Sequence, residues 1–135
     1  MSRFTSTNYS EGAFNIAALA MRLTFGIILL LHHGIPKLMG FSKMQYVFFD
    51  PFHIGSRWSL CLVIFAEVFC SVFVILGFLT RVALIPLIIE LGVALVLYHK
   101  GQGLVNTELA WVYLTAFFAL ILTGPGRISV DGLTR

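Results

Sequence analysis

Apolar residues fill four long stretches of the chain, and the polar positions between them mark where each stretch must stop. The densest runs from Leu60 to Arg81, about twenty residues, with one carboxylic acid, Glu67, near its middle. That length crosses the hydrocarbon core of a bilayer, and an acid at that depth needs a partner, a proton or a wet cavity. Before it, Phe14 to Gly34 predicts a first helix, ended by Gly34 and Pro36 because proline cannot extend the hydrogen-bond ladder. The small-residue triplet Ala18-Leu19-Ala20 precedes that apolar run instead of following it, so the segment reads as a membrane helix and not as a cleaved leader.

Trp58 to Tyr98 would measure about 60 Å as one helix, twice the hydrocarbon thickness, and so must fold as a hairpin. Gly77, Thr80 and Arg81 supply the break, which predicts helices over 59–78 and 82–98, the latter accommodating Pro86 near its start. Gly101 and Gly103 make the next turn, and Asn106 or Thr107 caps a fourth helix over 108–123, stopped by Gly124-Pro125-Gly126. Between the first two helices, residues 35–58 form an aromatic loop (Phe41, Tyr46, Phe48, Phe49, Phe52) that lies at the headgroup level or folds back over the bundle. The expected fold is all-α: one membrane domain over 1–135, a bundle of four transmembrane helices with both termini on one side.

Composition agrees: 59% of residues are hydrophobic and 11% charged, and the mean hydropathy is +0.94. The basic residues are scattered singly, so the net charge of +3 builds no nucleic-acid surface, and the expected surroundings are the lipid bilayer. Lys and Arg do not fix the orientation. Arg3, Arg81, Arg127 and Arg135 fall on the terminal side against Lys37, Lys43, Arg57 and Lys100 on the loop side. Cys61 and Cys70 are nine residues apart on one helix, facing opposite ways and too distant to bond, which argues against a dithiol relay within this chain and reads each as a buried structural thiol.

Three charges share one depth. Counted from the terminal side, Arg22 and Glu90 lie about 12 Å in and Glu67 about 16 Å. The economical arrangement turns all three inward, with the Arg22 fork bridging the two acids, and the excess negative charge calls for either one proton held between them or a further cation. His33 comes eleven residues after Arg22 on nearly the same face, and Lys37 extends the track toward the loop side, whereas His32 points elsewhere and His99 ends the third helix. An equal alternative is that these charges only lock helix register. Haem ligation by His33 and His99 lacks any supporting pattern, and no flavin, iron–sulfur, zinc or nucleotide signature is present in the sequence.

Several segments in order resemble the DoxX family of small four-helix membrane proteins: Arg22 with HHGIPKL after it (His32 to Leu38), DPFHIGS (Asp50 to Ser56), AEVF around Glu67, LGFLTR ending at Arg81, and GPGRISVD (Gly124 to Asp131). The resemblance implies a bacterial cytoplasmic membrane protein with its termini inside. It also implies an association with redox chemistry: relatives are linked to the membrane part of thiosulfate:quinone oxidoreductase, to quinone stress, and to complexes that handle oxidative and thiol stress. Arg22, Gly34, Lys37, Glu67, Gly77 and Arg81 fall at the family's motif positions, while Glu90 and His32 do not match its pattern.

Two functions are compatible with these residues. In the first the chain is a quinone-linked oxidoreductase component, alone or with a redox partner protein or further copies of itself. Arg22, Glu67 and Glu90 then form the reactive cluster, and His33, Lys37 and Arg81 bind substrate. In the second it is a non-catalytic scaffold or small-molecule carrier whose buried charges are structural.

Overall fold

The computed structural model describes residues 6–98 and 104–134. Arg3, His99, Lys100, Gly101, Gly103 and Arg135 lie outside the described residues.

Ser10 opens helix α1 (Glu11–Met39): its hydroxyl accepts the Ala13 amide at 3.1 Å, with Glu11 in the positively polarised first turn. The buried positions Ala18, Arg22, Gly26 and Leu29 recur at helical spacing and form one inward stripe. The helix does not stop at Gly34 and Pro36, as the sequence predicts. It widens into a π-helical segment at Leu30–Gly34 and resumes as α-helix over Ile35–Met39. Pro36 stands in the first turn after that switch, where an absent N–H is tolerated. A short α2 (Phe41–Met44) comes next, so only 45–55 of the expected aromatic loop is irregular.

Helix α3 (Ser56–Leu76) is also interrupted by a π-helical segment, Phe65–Cys70, which carries Glu67. It ends in a Schellman motif: Gly77 at φ 72, the Phe78 N–H donating to Phe73 O and the Gly77 N–H to Val74 O. Helix α4 (Thr80–Leu97) contains Pro86 and passes into a third π segment, Ala94–Tyr98. Helix α5 (Leu104–Thr123) starts earlier than expected, and Gly124 at φ 81 stops it. The tail closes with α6 (Val130–Leu133).

Leu29, Ala66, Cys70, Val74, Leu84, Leu87, Phe117 and Leu120 build the core between α1, α3, α4 and α5. Large apolar side chains such as Leu31, Phe69, Val82 and Leu122 point outward, as lipid contact requires. Among the described residues there is no strand, and α1, α3 and α4 are long and apolar enough to cross a membrane. The described apolar part of the fourth, Thr107–Thr123, is shorter. Cys61 and Cys70 are both free.

The tail does more than continue from α5. The Asp131 carboxylate accepts the Leu79 and Thr80 amides at 2.9 and 3.0 Å, so it caps α4 from more than fifty residues away. In return the Asp131 N–H donates to Gly77 O at 2.8 Å, and the Arg127 N–H donates to the Asn15 side chain at 2.9 Å. The LGFLTR and GPGRISVD segments are thus two halves of one clasp that closes this end of the bundle.

Candidate functional site

At the opposite end, the aromatic loop and the π-helical turns enclose a cavity of about 1030 Å³. Asp50 organises the loop. Its carboxylate accepts the Ile54 and Gly55 amides at 3.1 and 2.8 Å and the Ser59 hydroxyl at 2.8 Å, pinning the loop to the first turn of α3. Partial desolvation alone would raise this acid, but those three donors, with His53 nearby, hold it below the usual carboxylate range, so it is ionised at neutral pH. Phe48, Phe49 and Phe52 from this loop form part of the cavity wall.

The polar groups of the cavity come from all four long helices. Gly34 lets α1 approach α3 closely: a Cβ there would lie 2.6 Å from Glu67 O, against backbone that cannot yield. One turn further on, Lys37 reaches the Glu67 carboxylate at 2.6 Å, with that side chain 4% exposed and the lysine 21%. Glu90 of α4 lines the same cavity as Glu67. Its Oε2 is buried with no hydrogen-bond partner among the described residues. His33 of α1 meets Tyr113 of α5 edge to face, ring centroids 5.8 Å apart, and both line the cavity. Two of the three π segments contribute lining side chains close to this cluster, His33 and Glu67, and the third contributes Ala94; such segments recur at functional sites.

The wall between α3 and α4 includes Leu62, Phe65 and Ile89, which are also 60%, 50% and 59% exposed to the outside of the bundle. Side chains that belong to both surfaces mark where the cavity reaches the lipid-facing side.

The structure therefore brings together Lys37, Glu67, Glu90 and His33 but not Arg22 or Arg81. Arg22 is fully buried at the clasp end. It donates to Val74 O at 3.4 Å, to Ile75 O at 3.0 Å and to Ile128 O, capping the last carbonyls of α3 and holding the tail. The expected Arg22 bridge between Glu67 and Glu90 is replaced by Lys37, because α1 starts against the tail and not flush with the end of α3, placing Arg22 level with Gly77. Arg81 donates to Ile121 O and Leu122 O at 3.0 and 3.3 Å, closing the end of α5, and lines a separate cleft at the clasp end. Sequence reasoning missed Tyr113. Its signal was available: Ala110, Tyr113, Phe117 and Leu120 lie on the buried stripe of α5, to which Tyr113 brings a phenolic hydroxyl.

Residues 17–100 match the model of the family described as DoxX. The chain is 32% identical over 129 residues to inner membrane protein YphA of Escherichia coli (strain K12), covering 86% of each chain. It is 29% identical over 138 residues to the uncharacterized membrane protein Rv3486 of Mycobacterium tuberculosis, covering 91% of this chain and 83% of the relative. No solved structure matches it significantly.

Proposed function

Since the chain belongs to the DoxX family and is a bacterial inner-membrane protein, we propose that it binds the ring of a lipid-soluble quinone in the cavity beneath the aromatic loop and exchanges protons with it as a component of quinone-linked redox chemistry. The observation that carries this reading is the division of the cavity. Its walls are apolar and reach the lipid-facing surface at Leu62, Phe65 and Ile89, while Lys37, Glu67, Glu90 and His33 give it polar groups. An amphipathic molecule with a polar ring and a hydrocarbon tail fits such a site, the tail leaving between α3 and α4.

In this reading Lys37 donates to a ring oxygen while its pairing with Glu67 keeps the site near neutral charge. The Glu67 and Glu90 carboxyls hold and pass protons, and His33 lines the same cavity. The quinone supplies the two-electron chemistry, and a partner redox protein supplies or takes the electrons. Arg22 and Arg81 are structural here, because their guanidinium groups are committed to helix-end carbonyls.

The same reading has four spans with both termini cytoplasmic. Lys37 belongs to the cavity and no longer counts as a loop charge, which leaves Lys43, Arg57 and Lys100 against Arg3, Arg81, Arg127 and Arg135.

Titration of a decyl-substituted benzoquinone into the detergent-purified protein tests the proposal. Saturable binding is expected, weakened at least about tenfold by Glu67→Gln in protein that remains folded. Absence of saturable binding to the wild type would overturn it.

A further inference from the structure

The cleft at the clasp end, about 930 Å³, lies where the start of α1, the start of α4 and the turn after α5 meet, and two arginines line it, Arg81 and Arg127. Arg81 is held in place by the fold. Its Nε and Nη2 donate to Ile121 O and Leu122 O, and Gly124, where a Cβ would stand 3.2 Å from Nη2, leaves room for the guanidinium. Nη1 has no partner among the described residues, so a rigidly positioned fork keeps unspent donors. Arg127 reaches only Glu11, at 4.0 Å, with the two side chains 78% and 80% exposed, a pairing too solvated to hold either group.

The first turn of α4 adds to this. Asp131 takes the Leu79 and Thr80 amides, while the Arg81 and Val82 amides have no partner among the described residues. Thr80 lines the same cleft, and its buried hydroxyl is also without a partner. Both Asp131 oxygens are bonded within the clasp, so the groups left outward are two guanidinium ions against the one carboxylate of Glu11. The excess of one positive charge matches a singly charged phosphodiester, which Arg recognises through paired N–H groups. The surface beside the cleft then separates a lipid phosphate from a soluble one. Val82 lines the cleft and is exposed, and with Ile85 and Ile89 it forms an outward stripe that runs about 10 Å along α4. No charged residue interrupts the chain from 82 to 89.

We propose that the clasp-end cleft binds one anionic phospholipid, its phosphate on Arg81 and Arg127 and its acyl chains along the Val82, Ile85 and Ile89 stripe of α4. Basic pockets at the membrane surface take lipid headgroups in this way. A phosphatidylglycerol headgroup brings the single negative charge that the cleft lacks. A phosphatidylcholine headgroup brings the same phosphate with a trimethylammonium group that cancels its charge and has no N–H to donate to Glu11. Nothing in this site requires a quinone in the cavity at the other end.

Native mass spectrometry of the delipidated, detergent-solubilised protein tests the site, with dioleoyl phosphatidylglycerol, dioleoyl phosphatidylcholine and the soluble headgroup glycerophosphoglycerol as probes. The wild type is expected to retain one phosphatidylglycerol, at least about fivefold tighter than phosphatidylcholine, and no glycerophosphoglycerol at the same concentration. In Arg127→Gln, which removes an exposed side chain and leaves the clasp hydrogen bonds in place, the preference is expected to fall within about twofold. Arg81→Gln should abolish it as well, with circular dichroism and gel filtration checking the fold of both variants. Equal binding of the two lipids by the wild type, or retention of neither, overturns the inference, and that comparison decides even if a variant does not fold. A preference unchanged in folded Arg127→Gln also overturns it. Glycerophosphoglycerol bound as tightly as the lipid would make the cleft a site for soluble phosphates and overturn its assignment to a lipid.

Discussion

Lys37→Met is expected to destabilise the detergent-solubilised protein by about 3 kcal/mol, because it removes the partner of a buried acid. Methionine keeps most of the lysine stem, so the loss isolates the charge and not the packing. Glu67 is 3% exposed, and the 2.6 Å contact with Lys37 is its ion pair. The double variant Lys37→Met with Glu67→Gln should recover most of that loss, since it leaves no uncompensated charge, yet should not recover ligand binding. Unfolding midpoints of the single and double variants, read by circular dichroism, check both statements. A single variant as stable as the wild type would show that the pair behaves as a solvated surface contact.

Arg22→Met should cost a similar amount, about 3 kcal/mol, by a different route. Its guanidinium satisfies Val74 O, Ile75 O and Ile128 O, and without it the end carbonyls of α3 and the tail carbonyl lose a charged donor in a buried setting. The clasp should then open: the Leu79, Thr80 and Asp131 amides, now bonded between the hairpin and the tail, should exchange hydrogen faster. Quinone binding by the folded fraction should be unchanged, as Arg22 lies outside the cavity lining. Protected amides and an unchanged unfolding midpoint would remove Arg22 from the clasp, and lost binding in folded protein would return it to the site.

The two variants separate ends of the molecule that counting along the sequence merges. Counting 1.5 Å per residue from a common membrane plane places Arg22, Glu67 and Glu90 in one layer, and the arithmetic for each helix taken singly is sound. It fails because helices in a bundle need not start flush. Asn15 and Ala18 pack against Arg127 and Gly126 of the tail, so the first turns of α1 belong to the clasp. Face counting along α1 also changes at Leu30–Gly34, where the π segment inserts an extra residue and rotates the helix beyond it by about 100° relative to an unbroken α-helix. Arg22 and Lys37 therefore serve different partners although they lie on one helix.

The sequence alone determined the helical class, the membrane setting, the hairpin break at Gly77 to Arg81 and the need of Glu67 for a partner, because these depend on length, hydropathy and local backbone chemistry within single segments. It also placed Lys37, His33 and Glu90 among the residues of interest. Only the tertiary structure decided that Lys37 is that partner, that Gly34 opens the approach between α1 and α3, that Asp131 caps α4 from the tail, and that Tyr113 faces His33. These depend on helix stagger and, around the cavity, on π-helical turns. Both arise when segments distant in the chain settle against one another, and no periodicity within one segment encodes them.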